Sequence, residues 1–242
     1  MPVARGAVLP HAPLLVPELE SSEIAQAAQS IRRAAASIDL IDVDAVVVVS
    51  PHGGRTGVYR NVTGSLSEFG VPGEDRWWFS PPELTQEVAG AWTRPSLDGS
   101  IDHGVLVALS LIGDFKGAVV ACCIAEDGST NADVVDLVEA LENLDARVCV
   151  IASAHLSASL SARAPLTYRR ESEEIEDRAV AALDRDPADL MELASELTSR
   201  GGSCSASTVH LYGRLFAGGR SHLLAYEKPV GVGYPVAVAE PR

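Results

Sequence analysis

The sequence predicts an α/β fold: a three-layer α/β/α sandwich around a mostly parallel sheet, formed as a single domain. Three observations carry this expectation. Strand-like and helix-like runs alternate along the chain. The apolar runs are dense in consecutive Val, Ile and Cys, as in Ala45-Val46-Val47-Val48-Val49, which suits central strands covered on both faces. The 242 residues contain no repeat, no low-complexity tract and no long linker, so one core can hold them all.

Residues 4–9 and 45–50 read as strands, and residues 21–37 between them have the apolar spacing of an amphipathic helix. The span 69–82 (FGVPGEDRWWFSPP) reads as a Gly/Pro-rich surface excursion, in which Trp77 and Trp78 pack, form a lid or meet a second copy of the chain. An apolar helix is expected at SIDHGVLVALSLI, with Asp102 placed as its cap. GAVVACCI (117–124) and RVCVIAS (147–153) read as buried strands. The helix between them, about 132–144, has Thr130 or Asn131 available as cap. Helical segments follow near 169–185, 187–199 and 205–217, and strands near 221–227 and 232–238 close the sheet.

Composition narrows the function classes. Hydrophobic residues make up 47% and charged residues 21%, which is globular rather than disordered. The formal charge of −14, without a basic stripe, argues against a nucleic-acid partner, because such binding needs Lys and Arg to displace counterions. The apolar runs are too short to cross a bilayer, so no membrane partner is expected. The segment MPVARGAVLPHAP lacks the long apolar region of a secretory signal, and a cytoplasmic location is expected. Of four cysteines, Cys122, Cys123 and Cys149 sit in apolar strand-like runs as small buried hydrophobes. Cys204 differs: it follows Gly201-Gly202-Ser203 at the mouth of a helix.

Ligands of open α/β sheets collect beyond the carboxyl ends of the strands. His11 follows the first strand in VLPHAPLL, and His52 follows the second in VVVVSPHGG. Each stands directly after a Pro, and Gly53-Gly54 then permit a tight turn and close approach of a ligand. Neutral imidazole is a good ligand for Fe(II), Zn(II) or Cu(II), so the matched pair reads as a mononuclear metal site. Either His alone also reads as a hydrogen-bonded loop residue. His103 opens the apolar helix, where it could orient a substrate oxygen or stand as a surface residue of the first turn. His155, in VIASAHLSASL, follows a third buried strand as a further ligand or acid/base. His210 and His222 read as packing residues. Nucleotide-binding glycine signatures, HExxH and GxSxG are all missing from the sequence.

Taken in order, VLPHAPLLVPE, VVVVSPHGG, IDHGVLVALSLI, VIASAHLSASL, a Cys-bearing helix start and the closing GVGYPVAV resemble the class III extradiol dioxygenase superfamily. More narrowly, the chain is similar to the B-type subunits of that superfamily and to the related Memo proteins. The resemblance implies that His11 and His52 hold Fe(II), leaving positions open for a small aromatic diol and O2, with His103 beside the substrate. It also implies that copies of the chain can associate as a homo-oligomer.

Two departures qualify that implication. The family's strand-end motif closes on an acid/base His, where Ala158 stands here, with His155 three positions earlier. The expected carboxylate ligand is replaced by Cys204, a feature shared with the Memo proteins, and a thiol favours a softer metal or redox chemistry. Glu192 and Glu196 upstream read as solvated helix surface. The leading expectation is a metal-dependent oxidoreductase of the extradiol type. Its metal ligands are His11, His52 and Cys204, with His103 and His155 as catalytic residues. The alternatives are a repurposed metal- or ligand-binding protein of the same fold and a metal-assisted hydrolase.

Overall fold

The computed structural model describes residues 2–73, 75–125 and 130–242. Its centre is an eight-stranded sheet. Strand β1 (Val3–Leu9) leads through two short 3-10 turns to helix α1 (Ala25–Ala36) and strand β2 (Ala45–Ser50). Strands β3 (Gly57–Tyr59), β4 (Val62–Gly64) and β5 (Arg76–Trp78) follow, then helix α2 (Pro82–Trp92), strand β6 (Ser96–Leu97) and helix α3 (His103–Leu111). The second half runs β7 (Ala118–Cys123), α4 (Thr130–Glu142), β8 (Val148–Ser153), α5 (Arg170–Leu183), α6 (Leu190–Ser199), α7 (Ala206–Leu215), β9 (Arg220–Glu227) and β10 (Tyr234–Glu240).

The strand order is β6-β3-β7-β2-β8-β1-β10-β9. The four central strands β7, β2, β8 and β1 are mutually parallel, and antiparallel pairings of β3 with β7 and of β10 with β1 and β9 extend the sheet on both sides. The sheet is therefore mixed around a parallel centre. Alternation along the strands sends side chains to two cores. Val47, Val49 and Val150 join one apolar cluster with α2, α4, α5, α6 and α7, while Val46, Val48 and Ile151 join another with α1 and α3. Burial on both faces is why the central strands read as unbroken apolar runs. Each buried Val or Ile contributes about 1.5–3 kcal/mol relative to exposure.

The predicted elements fall within a few residues of those observed, with local corrections. The first helix starts at Ala25 rather than residue 21, because residues 21–24 form a separate turn in which the Ile24 amide donates to the Ser21 carbonyl at 3.1 Å. The 187–199 segment divides into a 3-10 turn at Pro187–Asp189, capped by the Asp186 side chain, and helix α6. Within 69–82, the segment 76–78 pairs antiparallel with 62–64 as a small hairpin. There Trp78 packs on the second core and Trp77 is 73% exposed. The cap of α4 lies outside the described residues, since the helix already includes Thr130 and Asn131. Among the described residues, no helix is long and apolar enough to cross a membrane.

Candidate metal centre

The register of the parallel strands builds the site. β1 pairs with β8 with Leu9 opposite Ser153, and β2 pairs with β8 with Val49 opposite Ala152, so β1, β8 and β2 end at one level. A histidine stands two residues beyond each end: His11 after Leu9, His52 after Ser50 and His155 after Ser153. Three neighbouring strands thus deliver three imidazoles to one edge of the sheet. The fourth group, Cys204, arrives two residues before α7. Its flanking serines fix it to the same edge: Ser203 Oγ donates to the His155 carbonyl (2.9 Å), and the His155 amide donates to Ser205 Oγ (3.1 Å).

The side chains converge on His11. Its Nε2 lies 3.0 Å from His52 Nε2, 2.9 Å from His155 Nδ1 and 3.4 Å from Cys204 Sγ, and Sγ lies 3.3 Å from His52 Nε2. His11, His155 and Cys204 offer ligand atoms all within 4.8 Å of one another, and the group could hold a metal ion. Ligand bonds of roughly 2.0–2.3 Å at ordinary coordination angles set neighbouring donors roughly 2.8–3.6 Å apart, which these separations match.

The hydrogen bonds behind the cluster fix its chemistry. Ser153 Oγ donates to the Gly104 carbonyl at 2.8 Å and lies 3.1 Å from His11 Nδ1. The single hydroxyl proton is committed to the carbonyl, so Ser153 accepts from Nδ1–H and the His11 lone pair resides on Nε2, aimed at the cluster. That one lone pair faces two imidazole nitrogens and a thiol. It can satisfy one hydrogen bond well, whereas a cation between His11, His155 and Cys204 would engage all three at once.

The electrostatics agree with neutral ligands. Burial, reinforced by the neighbouring imidazoles, holds His11 well below the ordinary histidine range and lowers His52 and His155 to about 4. Neutral imidazole is the form that binds metals.

Helix α3 anchors the arrangement. Asp102 caps it as expected, accepting from the amides of Gly104 (2.8 Å) and Val105 (3.3 Å), and it also accepts from Ser50 Oγ (2.5 Å) and the Tyr59 hydroxyl (2.8 Å). Ser50 Oγ in turn accepts from the His52 amide at 3.1 Å. A Cβ at position 104 would stand 2.2 Å from Ser50 Oγ, so only glycine lets the helix start approach the strand end this closely. His103 then stacks on His52, with ring centroids 4.2 Å apart and planes inclined by 33°. Phe69 meets the His103 ring edge-on at 5.9 Å.

The cluster floors a cavity of about 330 Å³. His103 and Ala158 line it, and the upper walls are Pro13, Pro165, Leu166, Val232 and Tyr234. All five site residues named from the sequence therefore meet in one place. His210 sits on α7 half-buried, and His222 is exposed on β9, so packing does not explain His222. Glu192 is exposed, and Glu196 pairs with Arg178 and Arg200 on the surface. Gly53 is required by packing, since a Cβ there would stand 2.5 Å from Cys123 Sγ, while Gly54 faces open space.

Sequence reasoning missed the positioning role of the serines. Ser50 and Ser153 end their strands in the repeated pattern Ser-x-His, SPH and SAH, and both tie a histidine loop to α3. It also missed Glu176, a buried α5 carboxylate that accepts from the Ser157 amide and the Tyr226 hydroxyl, both at 2.7 Å.

Comparison with known proteins fits this geometry. The model of a family described as the catalytic LigB subunit of aromatic ring-opening dioxygenase matches residues 5–237. The chain belongs to the LigB family. No curated protein matches the sequence. An uncharacterised protein of Escherichia coli K12, known from its crystal structure, is 15% identical with a TM-score of 0.63, over 98% of this chain and 99% of that one. At that identity the likeness shows a shared α/β fold. The class III dioxygenase resemblance read from the ordered motifs is thus borne out at the level of family and fold.

Proposed function

We propose that this LigB-family chain is a metal-dependent oxidoreductase that takes a small aromatic diol at the carboxyl edge of its sheet. The observation that carries the reading is the convergence of three neutral imidazoles and one thiol on the floor of an apolar cavity. His11, His52 and Cys204 would hold a divalent metal, Fe(II) foremost, with Zn(II) or copper as alternatives; His155 would serve as a further donor or an acid/base. A metal bound there would supply Lewis-acid or redox chemistry to a coordinated diol. His103 has no hydrogen bond to its ring among the described residues and lines the cavity, which suits it to orient a substrate oxygen. A ligand seated between the apolar walls would displace water and strengthen the polar contacts at the floor. Anaerobic reconstitution with Fe(II), then O2-uptake measurements over a panel of catechols, tests the reading: uptake with ring-opened product supports it.

One observation favours a second reading. Ala158 lines the cavity where the resembled family carries its acid/base His, and it brings no proton. With a thiol in place of a carboxylate, the site also suits a repurposed metal-binding protein of the same fold. Stoichiometric metal without O2 uptake on any catechol would select it. Ester or amide cleavage without O2 would instead select a metal-assisted hydrolase.

A further inference from the structure

The closing GVGYPVAV segment has no part in the metal set, yet it supplies Val232 and Tyr234 to the cavity wall. Tyr234 is only 3% exposed, and among the described residues its hydroxyl has no hydrogen-bond partner. No fully buried side-chain polar atom of the described residues lacks a partner, so the Tyr234 hydroxyl is not sealed in protein, and the residue that carries it lines the cavity. A phenol so placed forfeits hydrogen bonding unless something in the cavity supplies it. The residue is held firmly. The Leu156 amide donates to the Gly233 carbonyl, and the Gly233 amide donates to the Ser157 carbonyl, both at 2.9 Å. These bonds tie Tyr234 to the loop that carries His155. Gly233 itself packs against Glu176, where a Cβ would stand 1.6 Å from the carboxylate, so the backbone beside Tyr234 is wedged in place.

The rest of the wall bears on charge. Pro13, Ala158, Pro165, Leu166 and Val232 are apolar, and among the described residues no Lys or Arg lines the cavity. Arg163, close in sequence to Pro165, is ion-paired with Glu23. A carboxylate held against these walls, away from the metal at the floor, would lose its hydration without gaining a Lys or Arg partner. The chain's charge of −14 adds repulsion at longer range. The volume, about 330 Å³, lies at the lower end of ligand cavities and suits one ring with small substituents.

Resting on the aromatic-diol reading above, we infer that the cavity selects an uncharged single-ring ligand, and that the Tyr234 hydroxyl is a binding residue that hydrogen-bonds it. Burial raises the Tyr234 phenol to about 12, so it remains a donor throughout the neutral range.

The test uses Zn(II)-loaded protein, which supports no redox turnover, and measures Kd by calorimetry for 4-methylcatechol and for 3,4-dihydroxybenzoate. Wild-type protein is expected to bind 4-methylcatechol at least ~10-fold more tightly. Tyr234→Phe is expected to weaken 4-methylcatechol binding by about 2- to 10-fold while leaving Tm unchanged, because the hydroxyl has no protein partner to lose. Equal or tighter binding of the carboxylate overturns the neutral-ligand inference. Unchanged affinity in Tyr234→Phe overturns the role of its hydroxyl. If neither diol binds while the metal is retained, the aromatic-diol reading fails, and this inference fails with it.

Discussion

Replacing Ser153 with alanine removes the hydroxyl that sets the proton on His11. The serine is fully buried, donating to the Gly104 carbonyl at 2.8 Å and accepting from His11 Nδ1–H at 3.1 Å. Alanine strands both partners. Each unsatisfied buried group costs about 1–3 kcal/mol, so a loss of about 2–6 kcal/mol of folding stability is expected. The effect on metal is separate. Without Ser153 nothing holds the proton on Nδ1, and the ring is free to carry it on Nε2, which blocks the lone pair facing the cluster. Lost orienting bonds to metal-ligating histidines typically reduce affinity by about 10- to 100-fold, or about 1.4–2.7 kcal/mol. Competition against a chromophoric chelator measures that affinity, with circular dichroism establishing that the variant is folded. A folded Ser153→Ala protein with wild-type metal affinity would refute the tautomer argument.

Further predictions follow from the same geometry. His11→Ala and His52→Ala should each abolish stoichiometric metal binding, read by elemental analysis after dialysis; full occupancy in the double variant would remove both from the ligand set. Cys204→Ser should eliminate the sulfur-to-metal charge-transfer absorption of the Cu(II)- or Co(II)-substituted protein while leaving the fold intact, and a persistent band would mean the thiol is not a ligand. Metal-free protein should lose stability as pH falls from 6.5 towards 4. In that window the unfolded chain takes up protons that His155, lowered to about 4 in the fold, cannot accept. The loss is on the order of 3 kcal/mol for this residue, and urea midpoints that do not change between pH 7 and 4.5 would contradict it. Glu176→Ala should destabilise the protein by about 2–5 kcal/mol, since it strands the Ser157 amide and the Tyr226 hydroxyl. Because burial raises the pKa of Glu176, Glu176→Gln should lose clearly less, and equal urea midpoints for the two variants would contradict that ranking.

The legible part of this protein is what its local patterns force. The run from Ala45 to Val49 admits one reading, because a segment that apolar must be covered on both faces, and the strand stands at Ala45–Ser50. Asp102 was readable as a cap because an acidic side chain before an apolar helix has few other uses. The candidate donors were readable by name: Pro-His after a strand marked His11 and His52, and the ordered motifs offered His155 and Cys204. That these side chains meet depends on strand order and register, with β8 lying between β1 and β2, and no local pattern encodes that order. The serine and Glu176 contacts are long-range for the same reason, since their partners lie up to 142 residues away. The exposure of His222 was missed because alternation on a strand at the sheet edge does not say which face is covered.

X-ray absorption at the metal edge of protein purified without added metal tests the central claim most directly. The account predicts about one divalent metal per chain, with imidazole nitrogens near ~2.0–2.1 Å and one sulfur near ~2.3 Å. A metal surrounded only by oxygen, or protein that takes up none, would contradict it.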